Sequence, residues 1–178
     1  MERYRRYLQG DEEAFAEIVA EYFDRLVFFI DRYVQDLPAA EDLAMDVFAG
    51  LIANPRRYNF RSSLKTYLFM VGRSRSLDYI KHRKKLQMEP LSEAGQLPSD
   101  APAPEELVLA DSRKKALNAA LIKLEEEMRL VVHLVYFEDL SCEEAAKVLK
   151  KDRKQVYNLL YRAKNALRAI LEKEGMPL

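Results

Sequence analysis

Two stretches of this chain hold side chains whose types and spacing suit contact with a polyanion. Arg73, Arg75, Lys81, Arg83, Lys84 and Lys85 set cations in a row on or just past one helix, as phosphates require. Just upstream, Tyr58, Asn59, Phe60, Arg61, Ser62 and Ser63, followed by Lys65 and Tyr67, interleave rings with polar and cationic groups. That combination can hold bases that have left their stack. A basic run also suits a solvated helix face, and for Tyr58 and Phe60 a place in the core stands open beside a base contact. Farther on, LSCEEAAKVLKKDRKQVYNLLYRAKNALR carries two helix starts: Ser141 with Glu144, and Asp152 with Gln155, have capping-box spacing. A helix over 142–149, the short connection Lys150 to Asp152 and a second helix behind it have the pattern of a helix-turn-helix. Ser141, at the start of the first helix, and Lys151, within the connection, count among the candidate contacts to DNA. Arg153, Lys154, Gln155, Tyr157 and Asn158 open the second helix, where side chains reach base edges and backbone, whereas Arg162, Lys164 and Arg168 lie where phosphate or water is met. Val148, Leu149, Val156, Leu159 and Leu160 read as the core joining the two helices, and Tyr161 fits either role.

Other chemistries find little support. Cys142 is alone, so no internal disulfide forms, and it reads as a small packed residue rather than a thiol sensor. His82 and His133 have no carboxylate or nucleophile at a meaningful spacing, and the five glycines form no phosphate-cradling loop. No catalytic site, metal, cofactor or small-molecule substrate is expected. No apolar run reaches a membrane span and no signal peptide is seen, which predicts a cytoplasmic protein. The formal net charge of zero hides a division into blocks. Residues 11–46 hold eleven acids and two bases, 56–85 ten bases and one acid, 86–112 six acids and no base, and 113 onward fourteen bases against ten acids. Such blocks suggest different partners for different segments.

The elements that must position these groups read as helices. Apolar spacings of three and four predict a helix over 12–34, with Phe15, Ile18, Leu26, Phe29 and Ile30 among its core stripe. Asp36 and Pro38 start a second over about 39–53, and a third runs from Leu64 to about Lys84. Four prolines and few large apolar residues make 87–104 a linker, acidic and flexible. A helix then begins at Pro104-Glu105-Glu106, with Leu107, Leu117, Leu121 and Leu124 on its apolar face, and another covers roughly 126–137. The fold class is all-α, two small helical domains at 1–86 and 105–178 joined by that linker, the C-terminal one containing the helix-turn-helix.

Together these pieces resemble a bacterial sigma factor of the extracytoplasmic-function (ECF) type, in the sigma-70 family, over nearly the whole chain. AAEDLAMDVFAGL resembles the helix of region 2 that docks on the polymerase core, which implies that role for Glu41, Asp42, Leu43, Asp46, Val47 and Phe48. SSLKTYLFMVGRSRSLDYIKHRKK is similar to the stretch that opens and reads the downstream promoter element. LEEEMRLVVHLVYFEDLSCEEAAKVL with KQVYNLLYRAKNAL is similar to region 4, which reads the upstream element as duplex. The sequence departs from the family's common residues at Lys150, which replaces a turn glycine, and at Lys154, Tyr157 and Leu159. The resemblance implies a dissociable initiation subunit whose partners are the clamp helices and flap of the polymerase core, promoter DNA both duplex and melted, and an anti-sigma factor, membrane-bound ones included. The rival reading is a stand-alone dimeric helix-turn-helix regulator on a palindromic site.

Overall fold

The computed structural model describes residues 2–88 and 117–173, all helices and connections with no strand among them. The chain divides into two compact units. In the first, α1 spans Glu2–Leu8, α2 Glu12–Val34, α3 Leu37–Ala53 and α4 Leu64–Met88, with a 3-10 turn at Pro55–Arg57. In the second, helical residues 117–122 (α5) precede α6 at Glu126–Val132, a π-helical turn at His133–Phe137, α7 at Cys142–Leu149 and α8 at Arg153–Lys173. Most of the linker expected at 87–104, and the helix start at Pro104, lie outside the described residues. Residues 87 and 88 still belong to α4, which runs past the end expected for it.

The first unit is built around α2, which packs on α1, α3 and α4. Asp11 and Asp36 cap α2 and α3 by accepting hydrogen bonds from the Ala14 and Ala39 amides, at 3.1 and 3.2 Å. The core holds Ile18, Leu26, Phe29 and Ile30 from α2, Val47, Phe48 and Leu51 from α3, and Leu68 and Phe69 from α4. Gly72 has a packing reason: a Cβ there would lie 2.8 Å from the buried Leu26 Cδ1, so α4 approaches α2 more closely than a larger residue permits. The short α1 was not foreseen. It is latched by Arg3 to Glu17 and Glu21, by Arg6 to Asp11, and by the buried Tyr4, whose hydroxyl donates to the Pro55 carbonyl at 3.0 Å.

In the second unit α6 packs on α8, burying Met128, Val131, Val132, Val156, Leu160 and Ala163. The helix expected over 126–137 gives way at His133 to the π-helical turn, and Leu117, expected on an apolar face, is 40% exposed. The π turn also corrects the reading of His133. An α-helix puts residues three and four apart on one face, but i to i+5 bonding brings Glu138 to His133, with Nε2 and Oε1 3.6 Å apart and both side chains buried.

Both capping boxes form. The Glu144 amide donates to Ser141 Oγ at 3.2 Å while Glu144 Oε2 accepts from the Ser141 amide at 3.1 Å. The Gln155 amide donates to Asp152 Oδ1 at 2.8 Å while Gln155 Oε1 accepts from the Asp152 amide at 2.9 Å. Between them Lys150 sits at φ 52°, and the Lys151 amide donates to the Ala146 carbonyl at 3.0 Å, closing a Schellman turn. Lysine in that left-handed conformation costs about 1 kcal/mol that glycine avoids. Lys150→Gly should therefore raise stability by about 1 kcal/mol, and Phe48→Ala should lower it by about 3–5 kcal/mol. Urea unfolding of the whole chain, followed by helical circular dichroism, checks both.

Candidate nucleic-acid interface

The aromatic loop and the start of α4 are held by a hydrogen-bonded ring cluster. Tyr58 is buried, packs edge-on to Tyr4 at 5.3 Å between ring centres and tilted against Phe60 at 4.7 Å and Tyr67 at 5.1 Å, and donates its hydroxyl to the Ser62 carbonyl at 2.7 Å. Of the two alternatives for Tyr58, the structure therefore takes the core one: its ring faces are covered and unavailable to a base. Burial pushes the Tyr4 hydroxyl up to about 12, and also raises Tyr58 and Tyr67. All three stay neutral donors at ordinary pH. The Asn59 side-chain oxygen accepts from the Arg61 amide at 3.2 Å, an Asx turn. Ser63 caps α4, its Oγ accepting from the Thr66 amide at 3.1 Å. Phe60 is half-buried at φ 61°, and the Arg5 guanidinium lies over its ring at 5.4 Å.

Along α4, Lys81, Arg83, Lys84 and Lys85 are exposed. Arg73 is half-buried, and Arg75 leaves the row: its Nη1 lies 3.4 Å from Asp46 Oδ2 on α3. Two residues expected to meet different partners thus meet each other. On α3, Val47 and Phe48 are each 2% exposed, which corrects their expected place on a docking surface. They point into the core, whereas Glu41, Asp42 and Asp46 face solvent and Leu43 is half-buried. Met45 and Ile52, which sequence reasoning passed over, are 57% and 52% exposed and extend that acidic face with an apolar stripe at helical spacing. Arg5, Arg56 and Arg57 were missed as well. Arg56 and Arg57 line a cleft beside Leu8 and flank the aromatic loop, a position legible in the run Pro55-Arg56-Arg57-Tyr58.

At the helix-turn-helix, four cations have partners within the protein. Arg153 binds Glu143 at 2.9 Å and lies over the Tyr157 ring, and the Tyr157 and Glu143 interactions raise its pKa. Lys151 meets Glu127 at 2.7 Å, Arg162 meets Glu125 at 3.3 Å, and Lys164 lies over the Tyr136 ring. Ser141 and Gln155 are exposed and form the capping boxes, with Ser141 Oγ engaged by Glu144 and Gln155 Oε1 by the Asp152 amide. Lys154, Tyr157, Asn158 and Tyr161 are exposed at spacings of three and four, so they share one face of α8, and Tyr161, left open by the sequence, is 69% exposed. Val148, Leu149, Val156, Leu159 and Leu160 are buried as expected.

Among the described residues no group of His, Cys, Asp and Glu could hold a metal, and no helix is long and apolar enough to cross a membrane.

The family model for Sigma-70 region 2 matches residues 18–86, and that for Sigma-70, region 4 matches 114–167, together more than half of the chain. The ECF RNA polymerase sigma factor SigW of Bacillus subtilis is 25% identical over 174 residues, 93% of each protein. The ECF RNA polymerase sigma factor SigE of Mycolicibacterium smegmatis is 30% identical over 171 residues, 93% of this chain and 66% of that protein. The solved structure of the sigma factor RpoE bound to the anti-sigma factor NepR from Bartonella quintana shares the fold, with a TM-score of 0.66, 21% identity and coverage of 89% of this chain and 96% of that one. Region 2 thus falls in the unit that carries the aromatic loop and region 4 in the unit that carries the helix-turn-helix, and the chain belongs to the sigma-70 family as an RNA polymerase sigma factor of the ECF type.

Proposed function

We propose that this sigma factor divides a promoter grip between its two units. The exposed face of α3 docks on the polymerase core through Glu41, Asp42, Met45 and Ile52. The 58–63 loop and the cationic end of α4 take the melted downstream element, and α8 reads the upstream element as duplex. The observation that carries this reading is that the region 2 match holds rings and cations of the kind that suit unstacked bases, while the region 4 match holds a capped helix pair of the kind that suits a major groove. Each unit alone offers few free cations, so binding to DNA is weak and salt-sensitive until the core places both on one promoter and raises the effective concentration of the second contact. Sigma factors of similar fold have been solved with anti-sigma proteins bound, NepR in one case and the cytosolic domain of CnrY, the partner of CnrH, in another. We infer that an anti-sigma partner, membrane-anchored or not, controls this chain in the cytoplasm.

Within α8 the base-reading positions are Lys154, Tyr157, Asn158 and Tyr161, since Gln155 is occupied as a cap. Arg153 reaches phosphate or base only after leaving Glu143. Exposed pairs of this kind are worth only about 0–1 kcal/mol, so the exchange costs little.

Run-off transcription from a promoter library, with purified core polymerase and with or without the chain, tests the function. Transcripts that require the chain are expected, whereas tight duplex binding without core and no transcripts would refute it. Met45→Ala with Ile52→Ala should weaken core binding at least about tenfold, the scale of about 1.4 kcal/mol, while stability and upstream duplex binding stay unchanged. Lys154→Ala or Asn158→Ala should shift upstream preference by about 1–3 kcal/mol at one base pair. Arg83→Ala and Lys84→Ala should instead each flatten the salt slope of binding to the melted strand by about 0.7 without changing upstream preference. Competition among randomised duplexes reads the first class, and binding of holoenzyme to a pre-melted downstream element over a salt series reads the second.

A further inference from the structure

Helix α1 lies outside the region 2 match, which begins at residue 18, yet it meets the aromatic loop at two points. Tyr4 packs edge-on to Tyr58 at 5.3 Å, and its hydroxyl holds the Pro55 carbonyl just before the loop. The second point is Arg5. Its neighbours on the same short helix are engaged with carboxylates of the α2 region: Arg3 with Glu17 and Glu21, Arg6 with Asp11 and Glu17. Arg5 has no carboxylate within ion-pair reach among the described residues. It is exposed, and its guanidinium lies 5.4 Å from the centre of the Phe60 ring. Phe60 itself stands at φ 61°, a conformation that bulky residues rarely adopt and that persists only where the surroundings impose it. The Arg5 charge also reaches Tyr58, whose hydroxyl burial pushes up and Arg5 pulls back.

A half-buried ring that packs on Tyr58 and Tyr4 and has a flat, exposed cation over it has the chemistry of a stacking platform for a nucleobase, because guanidinium and base compete for the same π face. Once a base takes the ring, the displaced guanidinium stays tethered within reach of that nucleotide's own phosphate, with no carboxylate to hold it elsewhere. On that ground, and resting on the proposed role of the 58–63 loop, we infer that Arg5 of α1 is part of the single-strand reader. It covers Phe60 in the free protein, yields the ring to an extruded base of the melted promoter strand, and then pairs with the adjacent phosphate. Tyr4 is the positioning residue that carries α1, and Arg5 with it, to the loop.

The test uses holoenzyme assembled from full-length chain and core polymerase, on a promoter recovered by the run-off screen. That promoter is supplied as complete duplex and as the same fragment with a pre-melted bubble at the downstream element, over a salt series. Arg5→Ala should weaken bubble binding about tenfold and reduce the single-strand salt slope by about 0.7, the share of one phosphate. Duplex binding by the second unit, core affinity and the thermal midpoint of the free chain should not move. Arg5→Lys should restore the salt slope and only part of the affinity, since it keeps the charge and loses the planar group. Arg5→Ala that binds the bubble like wild type, that loses bubble and duplex binding alike, or that lowers the thermal midpoint would overturn the inference. Phe60→Ala separates the two levels of the argument. If it loses bubble binding while Arg5→Ala does not, the loop reading stands and the role of Arg5 fails; if neither variant changes bubble binding, the loop reading fails with it.

Discussion

A loop of polar backbone cannot hold large aromatic rings in place unless its carbonyls are satisfied, and in the first unit two buried tyrosines supply that satisfaction. Tyr58 donates to the Ser62 carbonyl within the loop, and Tyr4 donates to the Pro55 carbonyl at its entrance. A buried phenol without an acceptor would bear its full desolvation cost, about 1–3 kcal/mol, so ring packing and hydrogen bonding hold each other in place. The geometry then propagates outward. Tyr67, on the first turn of α4, packs on Tyr58, and Ser63 caps that same turn, so the register of the basic helix is tied to the loop. Tyr4 belongs to α1, and α1 is held by the burial of that ring and by the pairs of Arg3 and Arg6 with Glu17, Glu21 and Asp11. The aromatic loop and the start of α4 therefore lean on a seven-residue helix.

A similar economy governs the cations. Formal neutrality does not mean that the cations proposed to face DNA lack charge; acids elsewhere balance them, and four of them meet a carboxylate within the protein. Arg75 meets Asp46, Lys151 meets Glu127, Arg153 meets Glu143 and Arg162 meets Glu125. These pairs are exposed or half-exposed, where screening keeps each weak. They are strong enough to lower the potential that a free chain presents to nonspecific DNA, and weak enough to be exchanged when phosphates arrive in the right register. A subunit that must find core polymerase before it finds a promoter gains from that arrangement, because neutrality suppresses premature binding without removing the contacts themselves.

What could be read from residue order follows from how local each signal is. The bounds of α2, α7 and the start of α8 were legible because caps and apolar spacing lie within a few residues of one another, and both capping boxes formed as Ser141-Glu144 and Asp152-Gln155 announced. α1 was not legible: seven residues give too few turns for a period, and its arginines pair with residues beyond it. The pairing of His133 with Glu138 was hidden because only a π turn makes residues five apart neighbours. Resemblance identified the α3 segment without saying which side chains face outward, so Val47 and Phe48 entered a surface to which they do not belong while Met45 and Ile52 were passed over. Ser141 and Gln155 carry the same lesson at the second reader, where a polar residue near DNA already had a partner in its own backbone.

Backbone strain separates support from function in a way that residue types do not. Among the described residues four non-glycines stand at positive φ: Gln35, Phe60, Asp139 and Lys150. Three of them terminate helical segments and are matched by backbone bonds there, from the Gln35 amide to Asp31, from the Leu140 amide to Leu134 and from the Lys151 amide to Ala146. In each, the left-handed residue is the ordinary way to stop a helix, and the cost of a Cβ, about 1–2 kcal/mol, is offset by carbonyls that would otherwise go unpaired. Phe60 terminates nothing. It is the one aromatic residue among them, set within an Asx turn just before a helix cap, with the Tyr58 ring centre 4.7 Å from its own and the Arg5 guanidinium at 5.4 Å. Its strained backbone aims the ring where a smaller residue would leave the loop blank, which makes the orientation of that ring, rather than its hydrophobicity, the property the loop is built to hold.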